Sequence, residues 1–464
     1  DLATASPVSI HLLPTPTPHR SLEMEDLAGA IRDLAALSTR LLLQLSGDGE
    51  KRNLAISPLS IHSVVVLLAA GATGDTLDQI VSFLGLSGGA AHAALASEVA
   101  TLVFGRDAGV EPHIRCAVGV WVESSLRLRP AYADKVASEF KAAVRAMPFR
   151  ENVEEARVEI NRWFEDKTEG FIKDLMPEGH LDATLTALVI GNLLYMRGTW
   201  LDPFDPEYTL DGDFFLADAD GSRVRVPFMK STNDQCISCH PGFKVLQLHY
   251  ESKVGAGGNH RFSMHIYLPD ERDGLQALLR EISSSGTAEF VARCVPAARG
   301  VEVGNLRIPK FKVSSKMDAR DVLQGLGLEL PFRFTHDWSE MIELAEPEPP
   351  LRVQNVLHEC VVEVDEDGTM AAAATEADCD VGFSLYGEEP ARVDFVADHP
   401  FLFLLRDADF YSSGFWTPLI LTLQHCFKIR ARQLTLYIRF SLFCFFKIKQ
   451  HMNFKLCKTP KRSN

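Results

Sequence analysis

The order in which hydrophobic periodicity changes along this chain is what most limits its fold. Apolar residues recur every three or four positions through Leu27, Ile31, Leu34, Leu37, Leu41 and Leu45, the spacing of one helix face. A second helix opens at Asn53-Leu-Ala-Ile-Ser-Pro-Leu-Ser60, where Ser57 is placed to cap and Pro58 to take the first helical position. From Val64 to Ala70 that helix is apolar on every side, so it belongs in the interior. Further helices are predicted at Leu77–Leu84, at Ala131–Ala143 and along the face Val153, Ala156, Ile160 and Trp163. After a first strand signal at Val118–Val122, strand-length runs take over. They lie at Leu185–Ile190, Val224–Met229, Phe243–Tyr250, Phe262–Leu268, Leu306–Val313, Cys360–Val364 and Val393–Leu405. Only Gly274–Ile282 and Met317–Leu326 interrupt them with helical spacing. Helices first and strands later, without regular βαβ alternation or an internal repeat, predict an α+β domain with large mixed or antiparallel sheets.

Charge and cysteine content exclude several function classes. Residues 1–409 hold 37 basic and all 62 acidic residues, whereas 410–464 hold 10 basic residues and no acid. An acidic body argues against nucleic acid as the main domain's partner, since phosphate binding needs a basic surface. Nine cysteines in 464 residues, irregularly spaced, are too sparse for a disulfide framework and read as buried or free thiols. That suits a reducing compartment. Asp1–Arg20 lacks the basic start, apolar stretch and cleavage site of a secretory signal. Its prolines predict a disordered leader over residues 1–23, and a cytosolic location is favoured over an extracellular one. No run of 18 uncharged apolar residues occurs, so no transmembrane segment is expected.

Motifs for chemistry are sparse. Cys236-Ile-Ser-Cys239-His240 matches the pattern for covalent haem attachment, but it runs straight into a strand signal at Phe243 with no haem-binding helical domain around it. No second Cys/His pair stands at zinc-finger spacing. The chain has no Gly-x-Ser-x-Gly elbow, no His-Glu-x-x-His and no glycine-rich phosphate loop. No catalytic residue, metal site or cofactor is therefore expected.

The informative stretch is Val361-Val-Glu-Val-Asp-Glu-Asp-Gly-Thr-Met-Ala-Ala-Ala-Ala-Thr-Glu-Ala-Asp-Cys-Asp-Val-Gly382. It reads either as a strand ending at an acidic turn before an alanine-rich helix or loop, or as something less ordinary. Thr369, Ala371, Ala373, Thr375, Ala377, Cys379 and Val381 share one register of small or apolar residues, with Glu376, Asp378 and Asp380 between them. A period of two is a strand code, one face for a core and the other for water. Alanine has little β-propensity, so the segment would not hold strand shape unaided. It fits a strand that adds to a sheet on demand.

An acidic pair, Gly-Thr and a four-alanine run resemble the hinge and reactive-centre loop of serpins. The resemblance extends from Met24 to Arg406. Asn53–Ser60 resembles the family's shutter, and Asn192-Leu-Leu-Tyr-Met-Arg-Gly-Thr-Trp200 the strand beside it. Met264–Pro269, Pro309-Lys-Phe-Lys312 and Val396–Phe403 resemble later signatures, and the wording is closest to plant serpins. The resemblance implies one domain over 24–406 with eight to nine helices and an exposed loop at about 368–397. It implies a monomer that is not an enzyme and whose partner is a target serine or cysteine protease. The implied hinge is Glu366, Gly368, Thr369, Ala371, Ala372, Ala373, Ala374 and Thr375. The implied shutter is Ser57, Ser60, Asn192 and His358, whose side chains would hydrogen-bond where the main sheet opens. Counting from Glu366 or back from Pro400 brackets the scissile bond within Gly382, Phe383, Ser384, Leu385, Tyr386 and Gly387. No arginine or lysine lies in that window, so the protease would have an apolar pocket.

The end of the chain departs from the family. After Arg406 it reads Asp407-Ala-Asp-Phe-Tyr-Ser-Ser-Gly-Phe-Trp-Thr-Pro418, not Gly-Val-Val-Leu-Phe-x-Gly-His-x-x-x-Pro, and then continues. Residues 415–427 are apolar enough to fill part of the vacated place, with Pro418 at a strand start or an edge. Even so, 407–464 as a whole is expected to pack poorly, and the chain as written to inhibit weakly or aggregate. Residues 428–464 alternate cations with aromatics, which reads as a membrane-surface or nucleic-acid segment or, preferably, as a translated non-coding stretch. The resemblance implies a suicide inhibitor that traps its protease when the cut loop inserts as a strand in the main sheet; the divergent end leaves as the alternative a non-inhibitory relative, for storage, for binding or a defective product.

Overall fold

The computed structural model describes residues 18–47, 53–104, 112–216, 221–251, 262–297, 300–343, 350–369, 392–407 and 420–424. The leucine-spaced start forms α1 (Pro18–Ser46), which begins within the stretch expected to be a disordered leader. Pro18 suits that position, because its missing N–H is one a helix start leaves unpaired. α2 (Pro58–Gly71) begins as its sequence dictates: Ser57 is extended and its Oγ accepts from the Ser60 N–H at 3.3 Å. The remaining helices are α3 (Gly74–Leu84), α4 (Gly88–Val99), α5 (Pro130–Glu139), α6 (Val153–Lys167), α7 (Leu275–Ser284), α8 (Thr287–Arg293) and α9 (Ala319–Gly325). Apolar periodicity does not reveal α4, which is built on Gly88-Gly-Ala-Ala-His-Ala-Ala and lacks a large-residue stripe.

Among the described residues the strands form three large sheets and one short pair. The main sheet runs β4 (Ala143–Met147), β2 (His113–Glu123), β5 (Leu188–Thr199), β14 (Asn355–Val364), β12 (Phe311–Asp318), with β15 (Gly368–Thr369) beside the end of β5. A second runs β1 (Leu54–Ile56), β18 (Ile420–Gln424), β17 (Phe401–Asp407), β10 (Phe262–Pro269), β9 (Phe243–His249), β8 (Cys236–His240). The third runs β16 (Val393–Val396), β11 (Val303–Pro309), β7 (Arg223–Ser231), β6 (Leu210–Phe215). A short pair joins β13 (Ile342–Glu343) to β3 (Arg127–Leu128).

Both faces of the main sheet are covered. Leu194, Met196 and Val362 pack inward with Phe228, Ile266 and Phe403 of the other sheets. Lower down, Ile190 and Val356 join the helical core of Leu37 and Val64–Leu68. The outer face is roofed by α6, whose Trp163 meets Trp121 edge-on at 5.3 Å while Phe164 joins Leu193 and Leu357.

Several predicted segments divide differently. Leu306–Val313 is two strands in two sheets, broken at Lys310, and Val393–Leu405 is likewise split between β16 and β17. Pro400, which has no N–H to give a ladder, stands at the second break. The helix predicted to Ala143 ends at Glu139; Lys141 turns through a positive φ of 52° into β4. The strand expected at Leu185–Ile190 begins at Leu188 and runs on to Thr199. Cys236-Ile-Ser-Cys239-His240 is the sheet-edge strand β8, so its cysteines, three residues apart, point to opposite faces. The expectation that 407–464 packs poorly is corrected for one piece: Ile420–Gln424 pairs antiparallel with β1 on one side and β17 on the other. Pro418 lies outside the described residues.

Candidate functional site

The centre of the main sheet is a parallel pair. β14 lies beside β5 from Asn355↔Val189 to Val361↔Tyr195, and within it His358 stands directly across from Asn192. The Ser57 N–H points to His358 Nε2 at 3.3 Å. A backbone N–H can only donate, so Nε2 is the acceptor and Nδ1–H donates to Asn192 Oδ1 at 2.5 Å. Ser60 Oγ donates to the Ser57 carbonyl at 3.1 Å. All four side chains are fully buried. Burial lowers the His358 pKa to about 3, so the imidazole is neutral in ordinary buffers. The structure therefore brings Ser57, Ser60, Asn192 and His358 together, joining the start of α2 to the two central strands.

Two residues extend this set that sequence reading did not single out. Ser315 Oγ accepts the Ala55 N–H at 2.8 Å, tying β12 to β1. Asp318 accepts from the Val356 N–H at 2.9 Å and from Asn355 Nδ2 at 2.8 Å, pinning the foot of β14. It also caps α9 through the Arg320 N–H at 3.0 Å. An Asp immediately ahead of a helical run is the signal that would have found it.

Above Val361 the two central strands separate. β14 continues along β12, with Val362 opposite Val313 and Val364 opposite Phe311. β5 instead takes β15 as its neighbour, antiparallel, Gly368 opposite Thr199 and Thr369 opposite Gly198. The slot so formed is headed by a turn in which Asp365 N–H bonds the Gly368 carbonyl at 2.8 Å. Gly368 has φ +141°, and a Cβ there would strike the Gly198 carbonyl and the Thr199 backbone, so only glycine fits.

The turn is clamped from below. The Trp200 N–H donates to the Asp367 carbonyl at 2.9 Å and its indole to the Asp365 carbonyl at 3.0 Å. The Phe204 N–H donates to the Glu366 carbonyl at 2.8 Å. The Glu366 side chain is paired with the Lys310 ammonium and accepts from Thr209 Oγ1 at 2.8 Å. Burial opposes ionisation of this carboxyl, but the Lys310 and Thr209 hydrogen bonds outweigh it and hold its pKa below the ordinary value. Burial pushes the neighbouring Asp365 carboxyl up. Thus Glu366, Gly368 and Thr369 sit at the head of the slot. Asn192 lies seven residues down β5 from Thr199, roughly 23 Å at ~3.3 Å per residue, with His358 across from it on β14. Ala371, Ala372, Ala373, Ala374 and Thr375, and the window Gly382–Gly387, lie outside the described residues. The loop bounds of 368–397 take in the strand β16 at their far end.

The layered α+β architecture with an open central slot is that of a serpin. AtSerpin1 of Arabidopsis, solved in its native stressed conformation, matches with a TM-score of 0.73 at 35% identity, over 86% of this chain and 98% of that one. The family model Serpin (serine protease inhibitor) matches residues 32–416. Serpin-Z7 of Hordeum vulgare is 40% identical over 82% of this chain and 94% of its own length, and Serpin-ZX of the same plant 41% over 82% and 93%. This chain belongs to the serpin (serine protease inhibitor) family. Among the described residues no single helix is long and apolar enough to cross a membrane, and no group of three His, Cys, Asp or Glu is placed to hold a metal.

Proposed function

We propose that this serpin traps serine or cysteine proteases by letting them cut its loop, which then enters the slot between β5 and β14. The observation that carries this is β15, where hinge residues Gly368 and Thr369 already lie antiparallel against β5. Extending that register sets Ala371 opposite Met196, Ala373 opposite Leu194 and Thr375 opposite Asn192. Leu194 and Met196 face the inner core, so the small-residue face of the hinge meets buried apolar surface. Ala372 and Ala374 would meet Tyr195 and Leu193, beneath α6. The outer face is roofed at this level, not open to water as the alternation alone implies.

Insertion beyond Tyr195 must part the β5–β14 ladder and break the His358–Asn192 bond. The buried set Ser57, Ser60, Asn192 and His358 is thus read as a latch. It holds the sheet closed until cleavage frees the loop, and the new strand then satisfies main-chain groups on both sides. The uncharged window Gly382-Phe-Ser-Leu-Tyr-Gly387 supports a protease with an apolar pocket, engaged by a monomeric inhibitor. The divergent chain end favours a non-inhibitory relative, but β18 weighs against that by restoring a central strand in the second sheet.

Incubation with chymotrypsin and with a cathepsin-like cysteine protease tests the reading. We expect an adduct that survives boiling in SDS, and a released C-terminal fragment beginning within 383–387. Cleavage at Arg392, or cutting without any adduct, would overturn it.

A further inference from the structure

We propose that residues 201–211 form a second docking surface for the target protease, beside the reactive loop; this rests on the inhibitory reading above. The segment Leu201-Asp-Pro-Phe-Asp-Pro-Glu-Tyr-Thr-Leu-Asp211 joins β5 to β6. Its inward residues fasten it to the loop hinge. Phe204 is buried in the core between the sheets, its N–H holds the Glu366 carbonyl, and the Thr209 hydroxyl holds the Glu366 carboxylate.

Its outward residues are exposed. Tyr208 is 63% exposed, Leu210 54% and Leu201 37%, three of nine large hydrophobic residues left exposed among those described. Their concentration in one short segment marks a contact surface, whereas scattered exposed residues would not. Asp202, Asp205, Glu207 and Asp211 are exposed among them, and the segment contains no lysine or arginine. Among the described residues none of these four carboxylates forms an ion pair; Arg225 donates to the Asp211 carbonyl instead.

The segment is also stiff. Pro203 and Pro206 fix their φ angles, and Asp205 caps the single turn Pro206–Tyr208 by accepting the Glu207 N–H at 2.8 Å. Little order is left to impose on binding. An aromatic and two leucines in an acidic field fit a partner with apolar recesses and a cationic rim. A protease engaged on the loop is brought to this end of the molecule, because the loop departs from the turn that the segment clamps. It is the occupant we assign.

Chymotrypsin provides the probe, with papain in its place should the loop resist it. Engagement is read as the second-order loss of intact chain, cleaved and trapped products together, and the trapped fraction is read separately. Tyr208→Ser with Leu210→Ser should slow engagement about fivefold or more, leaving the trapped fraction unchanged. Asp202→Lys with Glu207→Lys should do the same in 20 mM salt, with the deficit shrinking in 0.5 M salt as charges are screened. Rates within twofold of the parent for both variants would overturn the proposal. So would an unchanged rate with a reduced trapped fraction, which would make the segment a hinge support only. If the parent chain is cut but never trapped, the inhibitory reading fails, while the engagement rates still decide the docking surface.

Discussion

At the scale of single residues, position within the slot decides the cost of a substitution. Extending the β15 register puts Ala373 at the level of Leu194 and Cys360, facing the core between the sheets. Ala373→Glu would bury an unpaired carboxylate there, costing several kcal/mol, on the order of the usual penalty for such groups. The variant should be cut without trapping. In the same extended register Ala374→Glu would face α6, a single outer layer whose edges reach solvent, and should lose less; equal losses in a trapping assay would show the register to be wrong. His358 carries a pH dependence. Its folded pKa of about 3 lies below the unfolded value near 6.5, so the unfolded chain binds more protons between those limits. The stability it contributes is complete above about pH 6.5 and is lost as pH falls toward 3. His358→Gln should flatten the stability profile in that window by up to about 1.4 kcal/mol per pH unit, one proton's worth. An unchanged slope in denaturant titrations from pH 6.5 to 4 would contradict a buried neutral imidazole.

At the scale of elements, the clamp beneath the hinge turn is the part most open to a single blow. Lys310→Met removes the cation from Glu366, whose side chain is only 10% exposed. Leaving that carboxylate unpaired should cost about 2–3 kcal/mol, visible as a lower midpoint in urea. Double replacement with Glu366→Gln should recover part of the loss, and no recovery would argue against the pairing. These elements were unevenly legible in the sequence. α2 with its cap at Ser57 and the apolar strands β7, β9 and β10 follow from local pattern, which suffices where one side chain or one period decides. The split of Leu306–Val313 into two sheets was marked, by apolar positions that pass from even at Leu306 and Ile308 to odd at Phe311 and Val313, though the run was read as one strand; the pairing of Lys310 with distant Glu366 was not legible. Nor was Thr209's part in the clamp, made across a sequence separation of 157 residues. Contacts formed only by tertiary folding leave no mark on a local window.

At the scale of the whole molecule, the account rests on a chain end that does not read like its family and on a sheet that is not yet full. β18 sits between β17 and β1, with Thr422 opposite both Phe403 and Ala55. Thr422→Pro would remove a ladder donor from a central strand, at a cost of about 3 kcal/mol or more. It should drive the protein into aggregates, whereas normal solubility and melting would show that β18 is dispensable. The central claim is that the cut loop becomes a strand of the main sheet. Thermal unfolding of the chain before and after cleavage within Gly382–Gly387 tests it most directly. Insertion adds a ladder on both sides and buries an apolar face, so the cleaved chain should melt higher than the intact one, by on the order of 10 °C or more. A cleaved chain that melts at or below the intact midpoint would contradict the claim.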